Sequence, residues 1–93
     1  MRIRWDETKR QDVLRRRQID LACLDEVFSR PYAEDQSNDD PEQYKVIGFL
    51  QTRLVSFIIE YRRDAIGKYM WVVTAWHATP KEQQDYEREI QSA

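Results

Sequence analysis

Hydrophobic and polar positions follow two different periods along the chain, and the N-terminal segment shows both in sequence. Ile3 and Trp5 alternate with two arginines, which is the pattern of a short half-buried strand. Asp6 is a typical N-cap residue, so a helix is expected to begin there and to run to about Arg17. The first seventeen residues therefore predict a strand followed directly by a helix.

The next segment predicts a second helix and then a loop. Asp20 can cap a helix whose apolar side chains recur at helical spacing. This helix should end before Pro31, because the residue that precedes a proline avoids helical geometry. Residues 33–43 are polar and acidic, include one proline and show no apolar periodicity, so we expect a mobile loop there.

The second half of the chain is rich in β-branched and aromatic residues, which form three runs of strand length separated by short turns. The runs predict an antiparallel meander, and they occupy residues 44–51, 53–61 and 68–76. Thr79-Pro80 then has the pattern of a helix start, with Glu82 three residues after the cap. The order of elements predicts a single α+β domain over residues 1–93, with two N-terminal helices and one C-terminal helix packed on one face of the sheet.

Composition narrows the class of protein. Ninety-three residues suffice for one domain with one modest core. A single cysteine, Cys23, cannot form an internal disulfide, which fits a reducing compartment. No apolar stretch is long enough to cross a bilayer, and the N-terminus has no apolar signal region, so we expect a cytoplasmic protein without membrane contact. One histidine and one cysteine offer no zinc-binding spacing, so neither a metal nor another cofactor is expected.

The net charge of −2 hides a segmented distribution. Residues 1–17 carry +4 and residues 43–76 carry +3, whereas residues 18–42 carry −7. Either the fold gathers the basic segments into one anion-binding face, or acidic and basic segments neutralise each other locally. The arginines at 15–17 have the same two interpretations, since they can complement the negative end of the helix dipole or contact phosphate.

Three stretches give the chain a family resemblance: IRWDETKR, IDLACLDEVF and VVTAWHAT. Together they resemble the BrnT family, which are small toxins of type II toxin–antitoxin systems with a RelE-like ribonuclease fold. The resemblance covers residues from Arg2 to about Tyr86 and is most specific in WDETKR. It implies a metal-independent ribonuclease that a cognate antitoxin neutralises, and that contacts DNA only indirectly through this antitoxin.

The chain departs from the family pattern at positions of the site. The pattern has Asn where this chain has Val13, and Lys-His-Gly where this chain reads Arg-Arg-Gln at 16–18. Trp71 and Trp76 replace two arginines of the final strand. Arg17 stays protonated at neutral pH, so it can attract phosphate but cannot act as a base as the histidine could. The alternatives are a catalytically impaired member that binds RNA or a partner protein without cleavage, and a purely structural interaction module.

Cleavage of RNA through attack by the ribose 2′-OH requires cations that stabilise the phosphate and groups that move protons. On the resemblance we expect catalytic roles for Lys9, Arg53 and Arg62. The candidates for RNA contact are Arg10, Arg16, Arg17, Arg63, Trp76 and His77. Lys9 and Arg17 are eight residues apart, so they should lie on one side of the first helix. Trp71 and Trp76 are five apart, so a regular strand would direct one to the core and the other to a stacking or partner surface.

Overall fold

A five-stranded sheet forms the framework of the protein, and the computed structural model describes residues 1–92. In chain order the elements are β1 (Arg2–Trp5), α1 (Glu7–Arg17), a 3₁₀ helix (Leu21–Ser29), β2 (Ala33–Asp39), β3 (Glu42–Leu50), β4 (Arg53–Arg63), β5 (Lys68–His77) and α2 (Pro80–Ser92). The strand order is β1-β5-β4-β3-β2, and only the pair of β1 and β5 is parallel. The predicted α+β class and the antiparallel meander of β3, β4 and β5 are confirmed.

Side-chain caps fix the boundaries of the N-terminal elements. Asp6 Oδ1 accepts a hydrogen bond from the backbone nitrogen of Thr8 at 2.9 Å and caps α1, as predicted. Asp20 Oδ1 accepts from the backbone nitrogen of Ala22 at 2.9 Å and caps the second helix. That helix is wound as a 3₁₀ helix, so its hydrogen bonds join residues three apart.

The acidic stretch that we expected to be a loop forms an edge strand instead. Ala33 pairs with Ile47 and Asp39 pairs with Glu42, so β2 and β3 make a hairpin. Residues 35–39 are all exposed. The prediction was wrong because an edge strand with its outer part in solvent needs no apolar alternation, and charged residues on such an edge also discourage pairing with other chains.

Helices cover both faces of the sheet, which corrects the expectation that all of them lie on one. The first face carries the main core, in which Phe57 packs with Val13 of α1. On the second face, Tyr86 of α2 packs against a smaller cluster that includes Ile47. The consecutive residues Val46 and Ile47 belong to different clusters because side chains alternate along a strand. The sequence gives α2 an apolar stripe but does not say which face it covers.

A bulge in β5 changes the direction of the two tryptophans. Ile58 and Ile59 of β4 are consecutive, but their partners in β5 are two residues apart, which leaves Val73 as the extra residue. Trp71 and Trp76 therefore both project from the second face, and the prediction that they lie on opposite faces was wrong. The regular alternation on which that prediction rested does not hold across a bulge.

Glu82 fastens α2 to the second face, where it is only 7% exposed. Its Oε1 accepts hydrogen bonds at 2.9 Å from the backbone nitrogen of Thr79 and from Nε1 of Trp76, and its Oε2 accepts from Lys45 Nζ at 3.1 Å. The backbone nitrogen of Glu82 donates to Thr79 Oγ1 at 3.2 Å, which confirms the predicted capping box. Burial by itself would raise the pKa of Glu82, but these hydrogen bonds outweigh it and lower the pKa to about 2.

Candidate functional site

A cleft of about 440 Å³ lies where the end of α1, the start of the 3₁₀ helix, the β3–β4 turn and the end of β5 meet. Its walls are apolar in the depth and polar at the mouth, where Arg53 and His77 are exposed. The side chains that line it are Leu14, Gln18, Ile19, Asp20, Cys23, Leu50, Gln51, Thr52, Arg53, Val55 and His77. The cleft thus contains two of the residues that the sequence predicts for the site.

The meander brings Arg53 and His77 together. Arg53 is the first residue of β4 and His77 is the last residue of β5, and these strands are antiparallel with Val55 opposite His77. The backbone nitrogen of Ala78 donates to the carbonyl of Leu54 at 3.0 Å, which extends this contact past the end of β5. Both side chains also line a second depression, on the side of α2. Arg53 and His77 therefore lie between the cleft and this depression.

His77 has a defined tautomer when its ring is neutral. Its Nε2 lies 2.7 Å from the backbone carbonyl oxygen of Arg17. A carbonyl only accepts hydrogen bonds, so Nε2 must carry the proton and Nδ1 must hold a free lone pair. Within residues 1–92, Nδ1 has no hydrogen-bond partner. The imidazole can therefore accept a proton at Nδ1 from a group bound in the cleft.

Arg17 makes the reciprocal contact from α1 to β5. Its Nη1 donates to the backbone carbonyl of Ala75 at 2.7 Å. β1 pairs with β5 only as far as Val72, so the carbonyl of Ala75 lies on a part of the β5 edge that no strand covers. One N–H of the guanidinium is used in this contact, and its other donors remain available at the exposed side chain.

Arg53 supplies the guanidinium group of the cleft wall. The side chain is exposed and takes part in no salt bridge within the described part of the chain. Its planar guanidinium can present two parallel N–H groups to a phosphate. Because no carboxylate is paired with these groups, the phosphate can bind them without displacing one.

Two residues with positive φ form the backbone at the cleft. Gln18 ends α1 with φ 56°, and its backbone nitrogen donates to the carbonyl of Leu14 at 3.0 Å. Gln51, in the two-residue turn between β3 and β4, has φ 58°. Glycine adopts this conformation without steric cost, whereas other residues are uncommon there. The backbone is therefore strained at one residue on each side of the cleft, at Gln18 and at Gln51.

The other predicted residues of α1 lie outside the cleft. Lys9 is half-buried beside a shallow depression near the start of the helix. Arg10 joins α1 to the 3₁₀ helix, since its Nε contacts Asp20 Oδ1 at 2.7 Å and its Nη1 contacts Glu7 Oε1 at 2.7 Å. The hydrogen bond from Arg10 is the main cause that lowers the pKa of Asp20. Arg16 is exposed and pairs with Asp12 at 3.1 Å.

The predicted residues of β4 and β5 that remain are split between the second face and the end of the hairpin. The Arg62 guanidinium lies 4.4 Å from the centre of the Trp71 ring and contacts Glu60 Oε1 at 2.6 Å. Trp76 lies beneath α2 and donates its indole hydrogen to Glu82. Arg63 is exposed at the end of β4, opposite Lys68. The structure thus unites Arg53 and His77, joins Arg17 to them, and separates the others.

Sequence reasoning missed several residues of the cleft. Gln18 carries a signal that could have been used, because the resemblance aligns it with a glycine, the residue that most readily adopts a positive φ at the end of a helix. Cys23 carries no comparable signal. Burial raises the pKa of its thiol, and nearby carboxylates add to this effect, so the thiol stays protonated and is a poor nucleophile at neutral pH.

Comparison with known proteins gives no assignment, since no protein-family model matches the chain and no curated protein matches it. Across residues 1–92, no group of three or more His, Cys, Asp or Glu side chains is arranged to hold a metal ion. None of the helices in the same residues is both long and apolar enough to span a membrane. The function is therefore argued from the chemistry of the cleft.

Proposed function

We propose that the chain is a BrnT-like toxin with a RelE-like fold, and that the cleft binds and cleaves RNA without a metal ion. The observation that carries the proposal is the pairing, in one cleft, of an arginine free of ion pairs with a histidine whose Nδ1 is unbonded. Arg53 can bind the phosphate and His77 can move a proton, which are the two tasks that such cleavage requires.

Two features of the backbone support the resemblance to the BrnT family. The stretch WDETKR spans the end of β1 and the start of α1, IDLACLDEVF lies on the second helix, and VVTAWHAT ends β5, so the three stretches of the resemblance fall on successive elements of one fold. Gln18 has φ 56° at the position where that pattern has glycine, the residue best suited to this conformation. A left-handed residue at the end of α1 is compatible with the glycine of the pattern, although the side chain differs.

The proposed reaction is a transfer of the phosphate from the 5′-oxygen to the 2′-oxygen of the neighbouring ribose. The 2′-oxygen forms a bond to phosphorus, the bond from phosphorus to the 5′-oxygen breaks, and a 2′,3′-cyclic phosphate and a 5′-hydroxyl result. Nδ1 of His77 accepts the proton of the 2′-OH, and water supplies the proton of the leaving oxygen. Arg53 stabilises the charge that develops on the phosphate oxygens.

The test is the initial rate of cleavage of a fluorogenic RNA by the wild type, His77→Ala and Arg53→Ala. Both variants should lose activity by about a hundredfold or more, as expected for the loss of a proton-transfer group or of an oxyanion-stabilising donor. Lys68→Ala is the matched control, because Lys68 is an exposed cation at the far end of β5. Unchanged rates for both cleft variants would refute the proposed site.

A second candidate function is RNA binding without cleavage, and the environment of Arg17 favours it. The family pattern has a histidine at this position, whereas here the guanidinium is bonded to the carbonyl of Ala75. Arginine in place of histidine keeps a positive charge but removes a group that can carry a proton, which suits RNA binding better than RNA cleavage. A gel shift by the wild type that Arg53→Ala weakens, with no cleavage at any pH from 5 to 9, would support this function over the first.

The proposal includes a cognate antitoxin as protein partner. The exposed arginines at the end of α1 offer a basic surface that a partner could cover together with the cleft. Co-expression with the product of a neighbouring small gene, followed by pull-down, tests this. Arg16→Glu should weaken the complex, whereas Lys68→Glu, far from α1 in sequence and on another element, should not.

A further inference from the structure

A separate cavity lies away from both the cleft and the depression beside α2. It is formed between the 3₁₀ helix and strands β2 and β4 and has a volume of about 330 Å³. Three aromatic rings form much of its wall: Phe28, Tyr32 and Tyr61. The rings of Phe28 and Tyr32 meet edge to face, with their centres 4.8 Å apart. This cavity shares no residue with the candidate RNA site.

The aromatic wall is partly open to solvent. Tyr32 is 40% exposed and Tyr61 is 44% exposed, and they are two of the four large hydrophobic residues that are exposed in residues 1–92. Exposed aromatic rings grouped around a cavity cost hydration energy in the free protein, so they indicate a surface that another molecule covers. The faces of such rings carry negative potential and attract cations.

The charged side chains that line the cavity are both negative. Asp25 and Glu34 line it, and no lysine or arginine of residues 1–92 does. Neither carboxylate takes part in a salt bridge among these residues. Tyr61 Oη donates to Glu34 Oε2 at 2.9 Å, which holds the Glu34 carboxylate beside the ring and leaves its Oε1 free. Burial and this bond raise the pKa of Tyr61, so its hydroxyl remains a donor.

The hairpin of β2 and β3 extends the negative charge beyond the cavity. Residues 31–44 contain five acidic and no basic side chains. Such a surface attracts a positively charged segment over a distance of about one Debye length, which is roughly 8 Å at physiological salt. The acidic hairpin is not used in the proposed RNA chemistry, and it would repel RNA rather than bind it.

We propose that the aromatic cavity between the 3₁₀ helix and strands β2 and β4 is a docking site for a lysine or arginine side chain presented by a partner protein. The cationic group binds between the carboxylates of Asp25 and Glu34 and over the rings of Tyr32 and Tyr61, while its aliphatic stem packs against Phe28. The acidic hairpin attracts the flanking basic segment. This inference does not depend on the proposed ribonuclease activity.

The experiment is an NMR titration of the whole chain with three acetylated and amidated pentapeptides, which carry a central lysine, arginine or norleucine between alanines. The lysine and arginine peptides should shift the ring signals of Tyr32 and Tyr61 and saturate, whereas the neutral norleucine peptide should not. Glu34→Gln should weaken binding about threefold to fivefold, since it removes a charge that faces the ligand. Asp39→Asn is the matched control, because Asp39 lies on the same hairpin outside the cavity, and it should change affinity less than twofold.

A second pair of variants keeps the test valid if a substitution disturbs folding. Tyr32→Phe retains the aromatic face and should bind as the wild type does, whereas Tyr32→Leu should bind several-fold more weakly with an equally dispersed spectrum. Equal binding of the norleucine peptide, or equal effects of Glu34→Gln and Asp39→Asn, would overturn the proposal. Tighter binding of spermidine than of either basic peptide would overturn it in favour of a free polyamine. The same shifts on concentrating the protein alone would overturn it in favour of a second copy.

Discussion

Replacement of Glu82 by glutamine should destabilise the fold in a pH-dependent way. The carboxylate is buried under α2 and accepts hydrogen bonds from Thr79, Trp76 and Lys45. Glutamine keeps the shape but turns one acceptor into a donor and leaves the ammonium of Lys45 without its counter-charge. The loss therefore combines one charge-assisted contact with one mismatched hydrogen bond.

The magnitude follows from the pKa. A fall from the ordinary 4.5 to about 2 means that the folded state favours the ionised form of Glu82. At about 1.4 kcal/mol per pH unit, this corresponds to about 3 kcal/mol of stability. Because the folded pKa is the lower one, this contribution is complete above about pH 4.5 and is lost as the pH falls to about 2. Glu82→Gln should thus lower the free energy of unfolding by about 2–3 kcal/mol at pH 7, and by much less near pH 2.

The assay is urea denaturation at pH 7, 5, 4 and 3, followed by tryptophan fluorescence and far-UV circular dichroism. With a slope of roughly 1–1.5 kcal/mol per molar urea for a domain of this size, the midpoint at pH 7 should fall by about 2 M. Glu89→Gln is the control, because Glu89 is an exposed glutamate of the same helix. A stability difference between wild type and Glu82→Gln that stays constant from pH 7 to pH 3 would refute the assigned pKa and the reasoning from it.

Three further predictions concern packing, the link between α1 and β5, and salt. Gly48→Ala should destabilise the fold by about 1–3 kcal/mol in the same urea assay, because its Cβ would lie 2.5 Å from Cγ1 of Val27; Gly67→Ala, where no atom lies within 4 Å, measures the backbone cost alone. Arg17→Met should lower stability by about 1 kcal/mol through the lost bond to Ala75, and an unchanged midpoint would show that this bond is not formed in solution. RNA affinity should fall with salt, and Arg53→Ala should reduce the log–log slope by about 0.7 in fluorescence anisotropy; an unchanged slope would mean that Arg53 contacts no phosphate.

The sequence predicted those elements whose local chemistry is self-sufficient. β3, β4 and β5 are rich in β-branched and aromatic residues that fit a buried pleated surface, and their turns are short, so both the strands and their antiparallel order were predictable. The acidic strand β2 was not predictable, because its pairing depends on the free edge that β3 presents. The parallel contact of β1 with β5 likewise depends on the assembled sheet.

The candidate site was predicted in part, as residues but not as a group. Arg53 and His77 were both candidates, and antiparallel pairing of β4 with β5 brings them to the same end of the sheet. Lys9 and Arg17 were expected to lie on one side of α1, and Val13, which lies between them on that side, is buried in the core. A buried apolar residue in the middle of this side of α1 directs the side toward the core. Lys9 and Arg17, at its two ends, therefore do not form a continuous cationic surface.

The hydrogen bonds that join Arg17 to Ala75 and His77 to Arg17 connect positions 58 and 60 residues apart. One wall of the cleft is therefore made early during synthesis, with α1, and the other is made late, with the end of β5. Contacts this distant in sequence cannot form before both partners have been synthesised, and they also require closure of a long loop. A growing polypeptide consequently has no complete RNA cleft for most of its synthesis, so under the proposed function the message that encodes the protein is not exposed to it until β5 has been made.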